Sequence, residues 1–113
     1  MNIGIIGAGA MGAGIAQVAA TAGEEVMVFD TNSASLDKAG AKLNKLFDRL
    51  VEKEKYTRED ADAILGRITF IESMDYFENS ELIIEAIIEN LEVKQSVFSK
   101  LEEIVSEDCI LAS

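Results

Sequence analysis

The chain has no proline, no histidine and no tryptophan, a single cysteine, and only ten basic residues against 21 acidic ones. Each shortage excludes something. Without histidine and with Cys109 alone, a zinc site of the usual composition is ruled out, and so is the imidazole that most often takes a proton at neutral pH. One cysteine cannot close an internal disulfide; Cys109 opens the apolar run Cys109-Ile110-Leu111-Ala112 and is expected to be a buried thiol. A formal net charge of −11 opposes nucleic acid as a general partner, because phosphate backbones are bound by basic surfaces. No apolar run is long enough to span a bilayer, and Met1-Asn2 lacks the basic start of a signal peptide, so no membrane partner and a cytoplasmic setting are expected. No linker, repeat or low-complexity tract interrupts the 113 residues, which suffice for one hydrophobic core.

What is present is concentrated at the start. The apolar run Ile3 to Ile6 feeds into Gly7-Ala8-Gly9-Ala10-Met11-Gly12, and a second apolar run, Glu25 to Phe29, ends on Asp30. This order describes strand, tight glycine turn, helix and second strand, with a carboxylate at the tip. Gly7 permits the turn, Gly9 lets backbone approach a pyrophosphate, and Gly12 lets the helix pack closely. The turn, Gly7 to Gly12, presents unpaired N–H groups and a positive helix end to a phosphate. Asp30 follows the fingerprint by about 20 residues, the distance at which an acid accepts hydrogen bonds from an adenosine ribose. It would repel a 2′-phosphate, and the adjoining Thr31, Asn32 and Ser33 bring no arginine to offset that. NAD is therefore the expected cofactor, with Asp30 and Thr31 beside its ribose.

Beyond Asp30 the apolar period lengthens. Leu36, Ala39, Leu43, Leu46 and Leu50, widened by Phe47 and Val51, predict an amphipathic helix from about Ala34 to Glu54. Thr57 with Asp60 three positions on reads as a capped start to a shorter helix ending near Gly66. Ile68–Ile71, Leu82–Ala86 and Cys109–Ala112 are strand candidates. Leu91, Val93, Val97, Phe98, Leu101, Ile104 and Val105 form a helical stripe between the last two. Strands alternating with helices imply a parallel, doubly wound α/β sheet of the Rossmann type, with a helical hairpin between the second and third strands.

Seven of the ten basic residues fall between Lys38 and Arg58, and Lys38, Lys42, Lys45, Arg49 and Lys53 share one helix face. Two readings stay open: a cationic strip for an anionic ligand, or a solvated face paired with acids such as Asp48 and Glu52. Glu85, Glu89 and Lys94 lie at and after the fourth strand, near the expected ligand crevice, or are ordinary surface charges. Neither Tyr56 nor Tyr76 is expected near the cofactor edge, and no catalytic constellation is visible.

Four segments carry a resemblance. The glycine turn with its helix through Val18, the strand end Val28-Phe29-Asp30, the block Ile83-Ile84-Glu85-Ala86-Ile87-Ile88-Glu89-Asn90-Leu91-Glu92-Val93-Lys94, and Ile110-Leu111-Ala112-Ser113 resemble the NAD-binding domain of the 3-hydroxyacyl-CoA dehydrogenases. The resemblance spans nearly the whole chain, and the Glu85-to-Lys94 block is its most specific part. It implies that Ala8 to Gly12 hold the pyrophosphate, Asp30 the adenosine ribose, and Ala86, Glu89 and Lys94 the nicotinamide-ribose side, while Lys53 supports an acyl-CoA substrate. Where relatives often carry a serine on the long helix, this chain has Leu46. The resemblance further implies oxidation of a (3S)-hydroxyacyl-CoA in fatty acid metabolism and a homodimeric parent. Its catalytic residues would lie beyond residue 113, so residues 1–113 are expected to be an incomplete, inactive NAD-binding domain. Met1 opening on the first strand suggests a stand-alone dehydrogenase. A non-catalytic, crystallin-like relative and another NAD-dependent β-hydroxyacid dehydrogenase are the alternatives.

Overall fold

Short apolar strands that alternate with helices must bury both faces of a sheet, and the computed structural model realises this. It describes residues 1–86 and 91–112, with the backbone alone for 91–94. The elements are β1 (Asn2–Ile6), α1 (Ala10–Thr21), β2 (Glu25–Phe29), α2 (Ser33–Glu52), α3 (Arg58–Gly66), β3 (Ile68–Ile71), a 3-10 helix (Met74–Asn79), β4 (Leu82–Glu85), α4 (Leu91–Ile104) and β5 (Ile110–Ala112). All strands pair in parallel in the order β3-β2-β1-β4-β5. The strand order reverses at β1, so a crevice opens over the carboxyl ends of β1 and β4, where sheets of this kind take ligands.

Strand alternation sorts the core into two clusters. Ile3, Ile5, Val26 and Val28 face Ala13, Ala16 and Ala20 of α1, Leu36, Ala39 and Phe47 of α2, and Ala61 and Ile64 of α3. On the other face, Ile6, Phe29, Ile71 and Ile83 meet Met74, Phe77 and Leu101. The 3-10 helix was not anticipated from the sequence, and it delivers Phe77, which is fully buried and edge-on to Phe29 at 6.3 Å. Gly4 in β1 is the residue beneath that ring: a Cβ there would sit 2.7 Å from two of its carbons.

The α2–α3 hairpin is held by local chemistry. The Asp60 N–H donates to Thr57 Oγ1 at 3.0 Å, the expected cap. Arg58 bridges Asp48 and Asp62 on the exposed side. The Arg67 guanidinium donates to the Ala20 carbonyl at 2.8 Å, tying the end of α3 to the last turn of α1. Cys109 departs from expectation: it is only partly buried, because β5 is an edge strand and its neighbour Ile110 is exposed. Partial burial still pushes its thiol pKa up.

Two helices end in the same way with different residues. After α1, Gly23 N–H bonds Ala20 O and Glu24 N–H bonds Ala19 O, with Gly23 at φ 97°. After α2, Glu54 N–H bonds Val51 O and Lys55 N–H bonds Leu50 O, with Glu54 at φ 57°. Both are Schellman ends, which want glycine at the left-handed position. Glu54 carries the steric cost of a Cβ there and sets a negative charge against the negative end of the helix. Glu54→Gly is therefore expected to raise the urea midpoint by the equivalent of about 0.5–1 kcal/mol, after allowing for the freer unfolded chain. An unchanged or lower midpoint at constant m would contradict this.

Candidate functional site

The site begins with a turn that only glycine can make. Gly7 follows β1 at φ 108°, a left-handed conformation, and its N–H donates to Phe29 O at 2.8 Å, locking the turn to the end of β2. Gly9 then caps α1 with extended backbone and no side-chain hydrogen bond, so the first amides of the helix are left without intrahelical acceptors. Gly12 lies against the turn: a Cβ there would be 1.8 Å from the Gly7 carbonyl oxygen. A Cβ on Gly9 would meet nothing within 4 Å. One glycine closes the turn upon itself, and another leaves its outer side clear.

Asp30 is clamped to that turn. Its Oδ2 accepts the Ala8 N–H and its Oδ1 accepts the Asn32 N–H, both at 2.9 Å. Each oxygen keeps acceptor capacity for a further donor. Ala86, at the end of β4, is buried and donates its N–H to Ile6 O at 2.8 Å, which continues the β1–β4 pairing into the crevice. Beside it Glu85 is buried opposite Ile6.

The basic face of α2 turns toward α1. A cavity of about 250 Å³ is lined by Ala8, Gly9, Ala10 and Ala13 on one side and by Ser35, Lys38, Ala39 and Lys42 on the other. A groove of about 360 Å³ continues between the helices, walled by Ala10, Ala13, Gly14 and Gln17 against Lys42, Leu43, Lys45, Leu46 and Arg49. Among the described residues, Lys38, Lys42, Lys45 and Arg49 form no ion pair, since Asp48 is taken by Arg58. The face is exposed, but among the described residues its pairing with Asp48 and Glu52 does not form. Four cations instead line two adjoining cavities.

A glycine turn of this build, clasped by the acid at the end of β2, meets its match in known proteins. The family model for the 3-hydroxyacyl-CoA dehydrogenase NAD-binding domain fits residues 2–113. The chain belongs to that family. It is 42% identical over 113 residues to a probable 3-hydroxybutyryl-CoA dehydrogenase of Deinococcus radiodurans, covering 100% of this chain and 40% of that protein. It is 38% identical to a 3-hydroxybutyryl-CoA dehydrogenase of Mycobacterium tuberculosis, again covering 40% of it. The crystal structure of (S)-3-hydroxybutyryl-CoA dehydrogenase from Ralstonia eutropha superposes with a TM-score of 0.91 at 37% identity, over 98% of this chain and 40% of that one. That of 3-hydroxybutyryl-CoA dehydrogenase from Escherichia coli K12 gives 0.94 at 32% identity, over 98% and 24%. The chain spans about 40% of the length of these two curated relatives.

For this NAD-binding domain the cofactor is NAD, and the residues fit it: bare backbone at Gly9, free helix amides behind it and an anchored acid one strand away. Ala10, Met11 and Thr31 are exposed around the same turn. Glu89 and Ser113 lie outside the described residues; Lys94 is on α4, its side chain likewise outside. Lys53 is the residue at the C-terminal cap of α2 and is not among those lining the groove, whose cations are Lys42, Lys45 and Arg49. Tyr76, on the 3-10 helix two residues beyond β3, lines a separate groove with Ser33, Glu72 and Ser73 that none of the glycine-turn residues, Asp30 or Ala86 lines. Sequence reasoning missed Gly14 and Gln17 as a groove wall. A helical wheel carries the signal: Ala13, Ala16 and Ala20 face the sheet, whereas Ala10, Gly14 and Gln17 fall on an adjoining face. Among the described residues no helix is long and apolar enough to cross a membrane, and no group of acidic or thiol side chains is placed to hold a metal.

Proposed function

We propose that this chain is the cofactor-binding part of an enzyme that oxidises a (3S)-3-hydroxyacyl-CoA to the 3-ketoacyl-CoA, within fatty acid metabolism. The observation that carries the reading is the Asp30 clasp on the glycine turn, taken with the family of the chain. When bound, NAD supplies the hydride acceptor. The residues of this chain bind and orient it: the Gly7 to Gly12 turn takes the pyrophosphate on backbone amides, and Asp30 takes the adenosine ribose on the lone pairs its two backbone bonds leave free. Ala86, Glu89 and Lys94 attend the nicotinamide-ribose side. The cationic groove between α1 and α2, with Lys53 further along the same helix, takes the phosphates of the acyl-CoA, as an anionic ligand on an acidic protein requires a local reversal of charge. The hydroxyl proton leaves to a base that is not a histidine of these 113 residues.

The test is cofactor discrimination. Wild-type chain titrated calorimetrically is expected to bind NAD about tenfold or more tighter than NADP, from the lost ribose bond and the repulsion of a 2′-phosphate. Asp30→Asn is expected to weaken NAD and to narrow that ratio. Equal wild-type affinities for the two cofactors would remove Asp30 from the ribose site.

A further inference from the structure

Lys42 is the residue that the two cavities have in common on α2. It lines the cavity at the glycine turn together with Gly9 and Lys38, and it lines the α1–α2 groove together with Lys45 and Arg49. It is exposed, and among the described residues nothing pairs with it. We propose that Lys42 is a shared cation which couples the binding of the two phosphate-bearing ligands, so that occupation of either cavity favours occupation of the other. The inference rests on the acyl-CoA reading of the groove.

The coupling follows from the ordering of one side chain. An unpaired lysine has its full rotamer freedom, and the first anion to engage its ammonium must restrict it. The ammonium has three donors and faces both cavities from one position on the helix, so a second anion finds the side chain already ordered. The cost is met once and the benefit is collected twice, which makes the two affinities rise together without any change of fold. Two anions in adjoining cavities also repel each other, but that repulsion is present with or without Lys42. The difference between wild type and variant therefore isolates the lysine.

The experiment titrates NAD into the chain in the absence and presence of saturating CoA, for wild type, Lys42→Gln and Lys100→Gln. Lys100→Gln removes the same charge from α4, on the opposite face of the sheet, and controls for the overall field. The factor by which CoA tightens NAD is expected to be about threefold larger in wild type than in Lys42→Gln, and Lys42→Gln alone is expected to weaken each ligand about fivefold. Lys100→Gln is expected to match wild type. The same factor in Lys42→Gln as in wild type, a larger one, or an equal drop in Lys100→Gln would overturn the shared cation. Wild-type chain that binds NAD but not CoA would instead remove the acyl-CoA reading of the groove, and the coupling with it.

Discussion

Gly12→Ala is expected to cost this domain about 3 kcal/mol of stability and to lower NAD affinity by at least about a hundredfold. The added methyl would stand 1.8 Å from the Gly7 carbonyl oxygen and 3.0 Å from its carbon. Neither atom belongs to a side chain that could rotate away. Gly7 is itself held by its N–H bond to Phe29 O and by a left-handed φ of 108°, so relief requires α1 to lift off the turn. Lifting α1 withdraws Ala13, Ala16 and Ala20 from the sheet, where all three are buried, and carries the helix amides away from the phosphate position. The cost thus lies at or above the upper end of ordinary overpacking, since most overpacked sites relax through rotamers. Chemical denaturation and NAD titration of the same variant check both halves. A variant with wild-type stability would show that the helix can shift without loss, and wild-type NAD affinity would show that the amides need not be where they are.

How far such features can be read in advance depends on the range of the interaction that makes them. Ile68–Ile71 is a strand in both sequence and structure because four β-branched or aromatic residues, shortly after Gly66, decide it locally. The Thr57 cap is equally local, and the long helix, expected from Ala34 to Glu54, runs Ser33–Glu52. The 3-10 helix Met74–Asn79 was not legible, since six mixed residues show no period. Its consequence, Phe77 lying over Gly4, joins residues 73 positions apart and could not be seen from either end. The site divides likewise. Glycine spacing identified the turn and the acid, but the bond from Ala8 to Asp30 spans 22 positions and appears only once β1 and β2 are paired. The basic face of α2 was evident as a face. Which neighbour it faced was not, because the rotation of an amphipathic helix is set by the residues it buries, here Leu36, Ala39, Leu43 and Phe47.

Gly9→Val is expected to separate binding from folding, which Gly12→Ala cannot do. The backbone at Gly9, φ −72° and ψ −171°, is extended and open to any residue, and a Cβ there meets nothing within 4 Å. Valine loses only the preference for glycine at a helix N-cap, about 1 kcal/mol or less. The same clear space is what a pyrophosphate needs in order to reach the helix amides, and a branched side chain projects into it. NAD affinity is therefore expected to fall by about two orders of magnitude or more, because the phosphate must either leave its donors or meet two methyl groups. Circular dichroism and a denaturation midpoint near wild type would establish that the fold survives, and calorimetry would read the loss. A stable Gly9→Val variant with undiminished NAD affinity would mean that the diphosphate does not cross the turn at this residue. The glycine spacing would then serve the packing of α1 alone, through Gly7 and Gly12.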